Sequence, residues 1–166
     1  MRNLRLDETG RRLTKYKCYI GFYDFSPIQG MFIGTLIKMT GFSRVTHVGP
    51  IIQVPGVGDV TITICQGQIK NGGYESLAKI HKEEVLEKSG SRLIHRKYIG
   101  EYALDLEETI RLANTYTDSQ PWDIIFHQFV GRFLGLTRPR ACSSFVCGLF
   151  KLKECWHPAS LYRKYK

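Results

Sequence analysis

A cysteine and a histidine stand in surroundings that suit nucleophilic chemistry. Cys142 lies in the run Arg140-Ala141-Cys142-Ser143-Ser144-Phe145-Val146, where Phe145, Val146, Leu149 and Phe150 recur on one stripe. That spacing predicts a helix over residues 141–152. A thiol at a helix N-terminus meets unpaired N–H groups and the positive end of the dipole, and both favour the thiolate. His47, in Thr46-His47-Val48-Gly49, opens an apolar strand. An imidazole beside a thiol makes a nucleophile–base pair. The two residues are 95 positions apart, so only the fold can bring them together. The plainer alternative is a buried cysteine that packs as a small hydrophobe and a histidine that ends a strand.

A third polar group is expected on the strand at residues 60–66, Val-Thr-Ile-Thr-Ile-Cys-Gln. Alternation puts Ile62, Ile64 and Gln66 on one face and Thr61, Thr63 and Cys65 on the other. The apolar face is expected to pack on the Cys142 helix, which directs Gln66 inward to hold the imidazole tautomer. Gln68 is the alternative. His47 shares its face with Gly49 and Ile51. Asp24 ends the first strand and reads as a turn or cap residue before a cleft residue. Cys65 and Cys147 read as packing groups, and His95, His127 and His157 as structural or surface residues. Trp122 is expected to pack near the helix that precedes Cys142.

These residues need elements to hold them. Residues 17–25 read as a strand, rich in aromatic and β-branched side chains. Ser26 and Pro27 open a helix carrying Ile28, Phe32, Leu36 and Met39 up to Gly41. Residues 46–54 and 60–66 read as strands joined by a turn at residues 55–59. Asn71-Gly72-Gly73 marks a second turn, with residues 74–77 a short strand or turn. Residues 91–98 form a further strand after a charged loop or short helix. Asp105 opens a helix through Thr117, with Glu108 as its capping-box partner. A short helix over residues 122–134 ends at Gly135. Strands and helices fall in separate blocks, which predicts an α+β fold with an antiparallel sheet.

The 166 residues suit one domain, and 43% hydrophobic content is enough for a core. No apolar run is long enough to span a membrane as a helix. The first 17 residues lack the apolar stretch of a secretory signal. Five cysteines, an odd number without a CxxC pair, read as reduced thiols in a cytosolic setting. The five histidines form no close ligand pair, so no metal and no cofactor are expected. The net charge of +9 divides unevenly: residues 1–17 carry +4, residues 138–166 carry +6, and the stretch between carries −1. Residues 1–17 therefore read as a basic arm and residues 18–166 as the domain. Nucleic-acid binding needs a basic patch with exposed aromatics. The Tyr and Phe residues here fall mostly on core stripes, which argues against it. Arg138 and Arg140 flank Cys142, where they would lower the thiol pKa or draw in an acidic substrate.

In order, these pieces resemble the circularly permuted branch of the NlpC-type, papain-like cysteine hydrolases, in which the His strand precedes the Cys helix. Tyr19 to Phe25 resembles the family's first strand. Thr46-His47-Val48-Gly49-Pro50-Ile51 resembles its Ser-His-Val-Gly-Ile strand, and Gln66-Gly67 the polar-small pair that ends the next one. Pro121-Trp122-Asp123 resembles a Pro-Tyr-Asp segment. Cys142-Ser143-Ser144-Phe145-Val146 resembles the Cys-Ser-Glu-Phe-Val helix, and His157-Pro158-Ala159-Ser160-Leu161-Tyr162 the Thr-Pro-x-x-Leu-Tyr tail. The resemblance spans about residues 18–163. Two departures stand out: Ser144 and Gln66 each replace a glutamate that the family often has.

The resemblance implies a papain-like fold in which Cys142 is the nucleophile, His47 the base and then the acid, and Gln66 the group that orients His47. It implies hydrolysis of an amide or peptide bond, with a peptide or peptidoglycan-like substrate and no cofactor. Relatives of this type occur in bacteria and phages. A phage-encoded cell-wall hydrolase, in the cytoplasm of the producing cell or in a virion beside virion protein partners, is the expected setting. Two alternatives stay open. One is an acyltransferase that forms a lipid or acyl thioester, since the lecithin:retinol acyltransferase group resembles this fold. The other is a non-enzymatic virion structural or adaptor protein that retains the fold.

Overall fold

The structure is a computed structural model. It describes residues 5–6, 12–25, 43–65, 69–70, 73–74, 77–82, 91–116, 126–127, 130, 133–135, 142–153 and 157–166. The strands are β1 (Arg5–Leu6), β2 (Arg12–Phe25), β3 (His47–Val54), β4 (Gly58–Cys65), β5 (Ile69–Lys70), β6 (Gly73–Tyr74), β7 (Leu77–Lys82) and β8 (Ser91–Leu104). The helices are α1 (Leu106–Asn114), α2 (Cys142–Leu149) and α3 (Pro158–Tyr165). The main sheet runs β8-β2-β3-β4-β7, with β1 paired to the start of β2, and every pair is antiparallel. β5 and β6 form a separate two-stranded ribbon. The fold is α+β with an antiparallel sheet. Among the described residues no helix is long and apolar enough to cross a membrane.

Two strands are longer than their composition suggests. β2 starts at Arg12, so the second half of the basic stretch is sheet. From Tyr16 the chain alternates: Tyr16, Cys18, Ile20 and Phe22 meet the core, while Lys15 and Lys17 are exposed. β8 continues past Tyr98 to Leu104. The register on β2 jumps from Cys18↔Gly100 to Tyr19↔Tyr98, and from Phe22↔His95 to Tyr23↔Leu93. Each jump leaves one extra residue on β8, Ile99 and Ile94, and so makes a bulge. Gly100, at φ 124°, supplies backbone that a side chain would resist beside the first of them.

Helix α1 begins where its cap predicts. The Asp105 side chain accepts from the N–H groups of Glu107 and Glu108, at 2.9 and 3.3 Å. The helix expected from Ser26 to Gly41 lies outside the described residues, as do residues 117–125. So do the turn residues Asn71 and Gly72, and most of the helix expected at residues 122–134.

The register separates two faces. Cys18, Ile20 and Phe22 on β2, Val48 and Ile52 on β3, and Val60 and Ile62 on β4 pack with Ala113, Phe145, Val146, Phe150 and Leu161 of the helical layer. On the other face Tyr23↔His47, Gly21↔Gly49, Tyr19↔Ile51 and Ile51↔Thr61 are cross-strand partners. That face is enclosed as well: Tyr23, Ile51 and Thr61 are at most 1% exposed. Gly21 leaves room there for Tyr23. A Cβ on Gly21 would stand 2.5 Å from the Tyr23 hydroxyl and 2.7 Å from Ile51 Cδ1. Arg96 crosses this face, stacked 3.8 Å over the Tyr19 ring, and pairs with Asp59.

Candidate active site

Pro50 interrupts β3 with a residue that has no N–H. Beyond it the two neighbouring strands part. β3 and β4 pair from Val54↔Gly58 to Ile51↔Thr61, while β4 goes on pairing with β7 as far as Cys65↔Leu77. Among the described residues His47 to Pro50 therefore keep β2 on one side and lose β4 on the other. The N-terminus of α2 approaches β3 along this same stretch. The Cys142 sulfur takes hydrogen bonds from the backbone N–H groups of Val48, Ser143 and Cys142 itself. A strand N–H points in the plane of the sheet, so a sulfur that accepts from Val48 sits near the level of the strand. Val48 directly follows His47. The fold thus brings the thiol beside the residue next to His47, although 95 positions separate them in sequence.

The start of β3 is fixed by Tyr23. Its carbonyl accepts from the Thr46 N–H at 3.0 Å and from Thr46 Oγ1 at 3.4 Å. The Tyr23 ring lies 6.1 Å from the His47 ring, centroid to centroid. His47 is 8% exposed, and burial pushes its imidazole down from 6.5 to about 4. Cys142 is partly exposed as a residue, but its sulfur is enclosed. Burial pushes the thiol up from 9.0 to about 11. The three N–H groups pull the other way, as a helix N-terminus should, and burial outweighs them. The expectation of a thiolate favoured by the helix end is therefore corrected. At neutral pH the site holds a neutral thiol and a neutral imidazole.

Strand faces also revise the expected geometry of the third group. Ile51 faces Thr61, so His47 shares its side of the sheet with the threonine face of β4. Ile62 lies on the opposite, helix-facing side with Val48. The reasoning that put the Ile62 face and His47 together is overturned by this register. Gln66 and Gln68 themselves, with Arg138, Arg140 and Trp122, lie outside the described residues. Asp24, half-buried, stands opposite Arg92 in the β2–β8 register.

His157 and His95 have structural surroundings. His157 is the N-cap of α3, its Nδ1 accepting from the Ala159 N–H at 3.2 Å. Burial, with a smaller contribution from Arg163, lowers it to about 4. His95 packs its ring 6.0 Å from Phe22 and 6.1 Å from Tyr162. Cys147 is buried in the core beside Phe145 and Val146. Among the described residues no three His, Cys, Asp or Glu side chains converge to hold a metal ion. Sequence reasoning missed Tyr23 as a neighbour of His47 and the Val48 N–H as a partner of the sulfur. Only the β2–β3 register and the position of α2 reveal them.

Comparison of the chain with family models, with curated proteins and with solved structures finds no match in any of the three.

Proposed function

We propose that the chain is a thiol hydrolase of the permuted, papain-like NlpC type, acting on an amide or peptide bond, with cell-wall peptides as the substrate class. The observation that carries this reading is the Cys142 sulfur at the start of α2, hydrogen-bonded to the N–H that follows His47. Cys142 attacks the carbonyl carbon while His47 takes the thiol proton and later gives it to the leaving amine. The Ser143 and Cys142 N–H groups, which face the sulfur in the resting state, are near the position where the carbonyl oxygen gains charge.

The thiol at about 11 and the imidazole at about 4 set the order of events. A pair so far apart does not ionise on its own in a closed site. Proton transfer accompanies attack, and substrate contacts replace the solvent that burial has removed. The charge of the C-terminal stretch suits a substrate that carries carboxylates.

The test is incubation with fragmented peptidoglycan or acyl-ester peptides, followed by intact-mass measurement of acyl adducts and of released peptides. A covalent adduct on Cys142, lost in Cys142→Ser, is expected. Product formation should fall about a hundredfold or more in His47→Ala, the usual scale for losing a general base. Adducts spread over several cysteines, or turnover untouched by His47→Ala, overturn the reading.

A further inference from the structure

The sheet face that carries His47 is enclosed at Tyr23, Ile51 and Thr61 but opens towards the start of β2, where Tyr98 of β8 is 51% exposed. The direction of Tyr98 comes from the bulge. With Cys18 opposite Gly100, plain alternation would put Ile99 beside Tyr19 and turn Tyr98 to the helical layer. The extra residue at Ile99 puts Tyr98 opposite Tyr19 instead. The two rings stand 5.2 Å apart, centroid to centroid. Arg96, next on this face of β8, covers the Tyr19 ring at 3.8 Å and is tied to Asp59. On the other side of Tyr98, exposed Glu101 stands opposite exposed Lys17. The exposed ring thus lies between two cation–carboxylate couples. A single exposed ring is ordinary on a protein surface. A ring with placed polar groups on both sides has the composition of a small-ligand subsite.

We infer that this surface binds a glycan strand, with the C–H face of one pyranose on the Tyr98 ring and its hydroxyls on Arg96, Asp59, Lys17 and Glu101. A sugar hydroxyl both donates and accepts, so it is served by the donors of Arg96 and Lys17 together with the acceptors of Asp59 and Glu101. A tyrosine ring supplies a large apolar face with little conformational entropy to lose. The pairing with Asp59 and the stack on Tyr19 fix the guanidinium before a ligand arrives, which lowers the cost of binding. A nucleic acid is the poorer occupant. Each of the two cations stands by a carboxylate that repels phosphate, whereas single-strand binding uses a positively charged groove. No residue of this surface belongs to the candidate active site, so the inference does not rest on the thiol chemistry.

The test is isothermal titration calorimetry of the full chain with chitohexaose and with cellohexaose. Binding of at least one hexasaccharide is expected, unchanged by added salt because both are uncharged. Tyr98→Ala should bind at least about tenfold more weakly, the scale of one stacked ring, and Tyr98→Phe about as well as the parent. Glu101→Gln tests the polar contacts apart from the ring and should weaken binding about threefold to tenfold. Both positions are exposed, so all three variants should keep a cooperative urea transition. A parent chain that binds neither sugar overturns the inference, as does a folded Tyr98→Ala that binds as tightly as the parent. Binding of an oligothymidylate that fades with salt and is lost in Tyr98→Ala, without sugar binding, overturns it in favour of nucleic acid.

Discussion

Replacing His47 by Gln removes a titrating group from an enclosed position and keeps the side chain about the same size. Burial holds the imidazole at about 4, against 6.5 for an ordinary histidine. Above both values the ring is neutral in the folded and the unfolded chain, and stability is unaffected. Below 6.5 the unfolded chain takes up a proton that the folded one refuses, so stability falls as pH falls towards 4. Linkage puts the loss from this one group at about 2 kcal/mol by pH 5 and about 3 kcal/mol by pH 4. Urea unfolding of the parent and of His47→Gln between about pH 7 and pH 4 measures it. His157 titrates in the same window but is present in both proteins, so its contribution cancels. The acid loss of stability should be about 3 kcal/mol smaller in the variant. An identical acid limb in the two proteins refutes a buried neutral His47. A limb steeper in the variant refutes it more strongly, because that sign belongs to an imidazolium held by a thiolate, whose pKa would be raised.

Cys142 should react with iodoacetamide about a hundredfold more slowly at pH 7.5 than in the urea-unfolded chain, since its pKa lies near 11 rather than 9.0. The rate should climb tenfold per pH unit up to that value, as read by peptide mass spectrometry. Gly21→Ala forces a Cβ into the Tyr23 hydroxyl and Ile51, and should cost about 1–3 kcal/mol in urea unfolding. Asp105→Ala removes the acceptor for two N–H groups and should cost about 1 kcal/mol, with Asp105→Ser recovering most of it. Phe145→Ala, at a ring 1% exposed within the core, should cost about 3–5 kcal/mol.

Local chemistry identified the elements whose signals are local. The hairpin of β3 and β4 follows from two alternating runs around Pro55-Gly56-Val57, and α1 from its Asp105 cap. The start of α2 at Cys142 follows from the stripe of Phe145, Val146 and Leu149. The first half of β2 was hidden because Arg12, Lys15 and Lys17 read as a solvated arm. Their neighbours nonetheless alternate inward, and pairing with β8 makes the whole run a strand. The strand expected over residues 91–98 runs on as β8 to Leu104, passing through Gly100 beside a bulge. Register was the larger gap. Alternation tells which residues of one strand share a face, but not which face of the next strand joins them. The Ile51↔Thr61 pairing decides that, and it places His47 with Thr61 rather than with Ile62. The reversal of the expected thiol pKa has a similar origin. The helix end is written in the sequence around Cys142, and the depth of its enclosure is set by residues from distant strands.

Strand β8 is the outermost strand on its side of the sheet, and among the described residues its outer edge pairs with nothing. A straight edge fourteen residues long would be a template for the same strand of another molecule. The extra residues at Ile94 and Ile99 interrupt that template at two places, and no run of more than five register steps remains between or beyond them on the β2 side. Exposed Lys97 and Glu101 add charge along the same edge. The irregularities that obscure β8 in the sequence are thus a defence against edge-to-edge aggregation. Deleting Ile99 would straighten the strand at the expense of that protection.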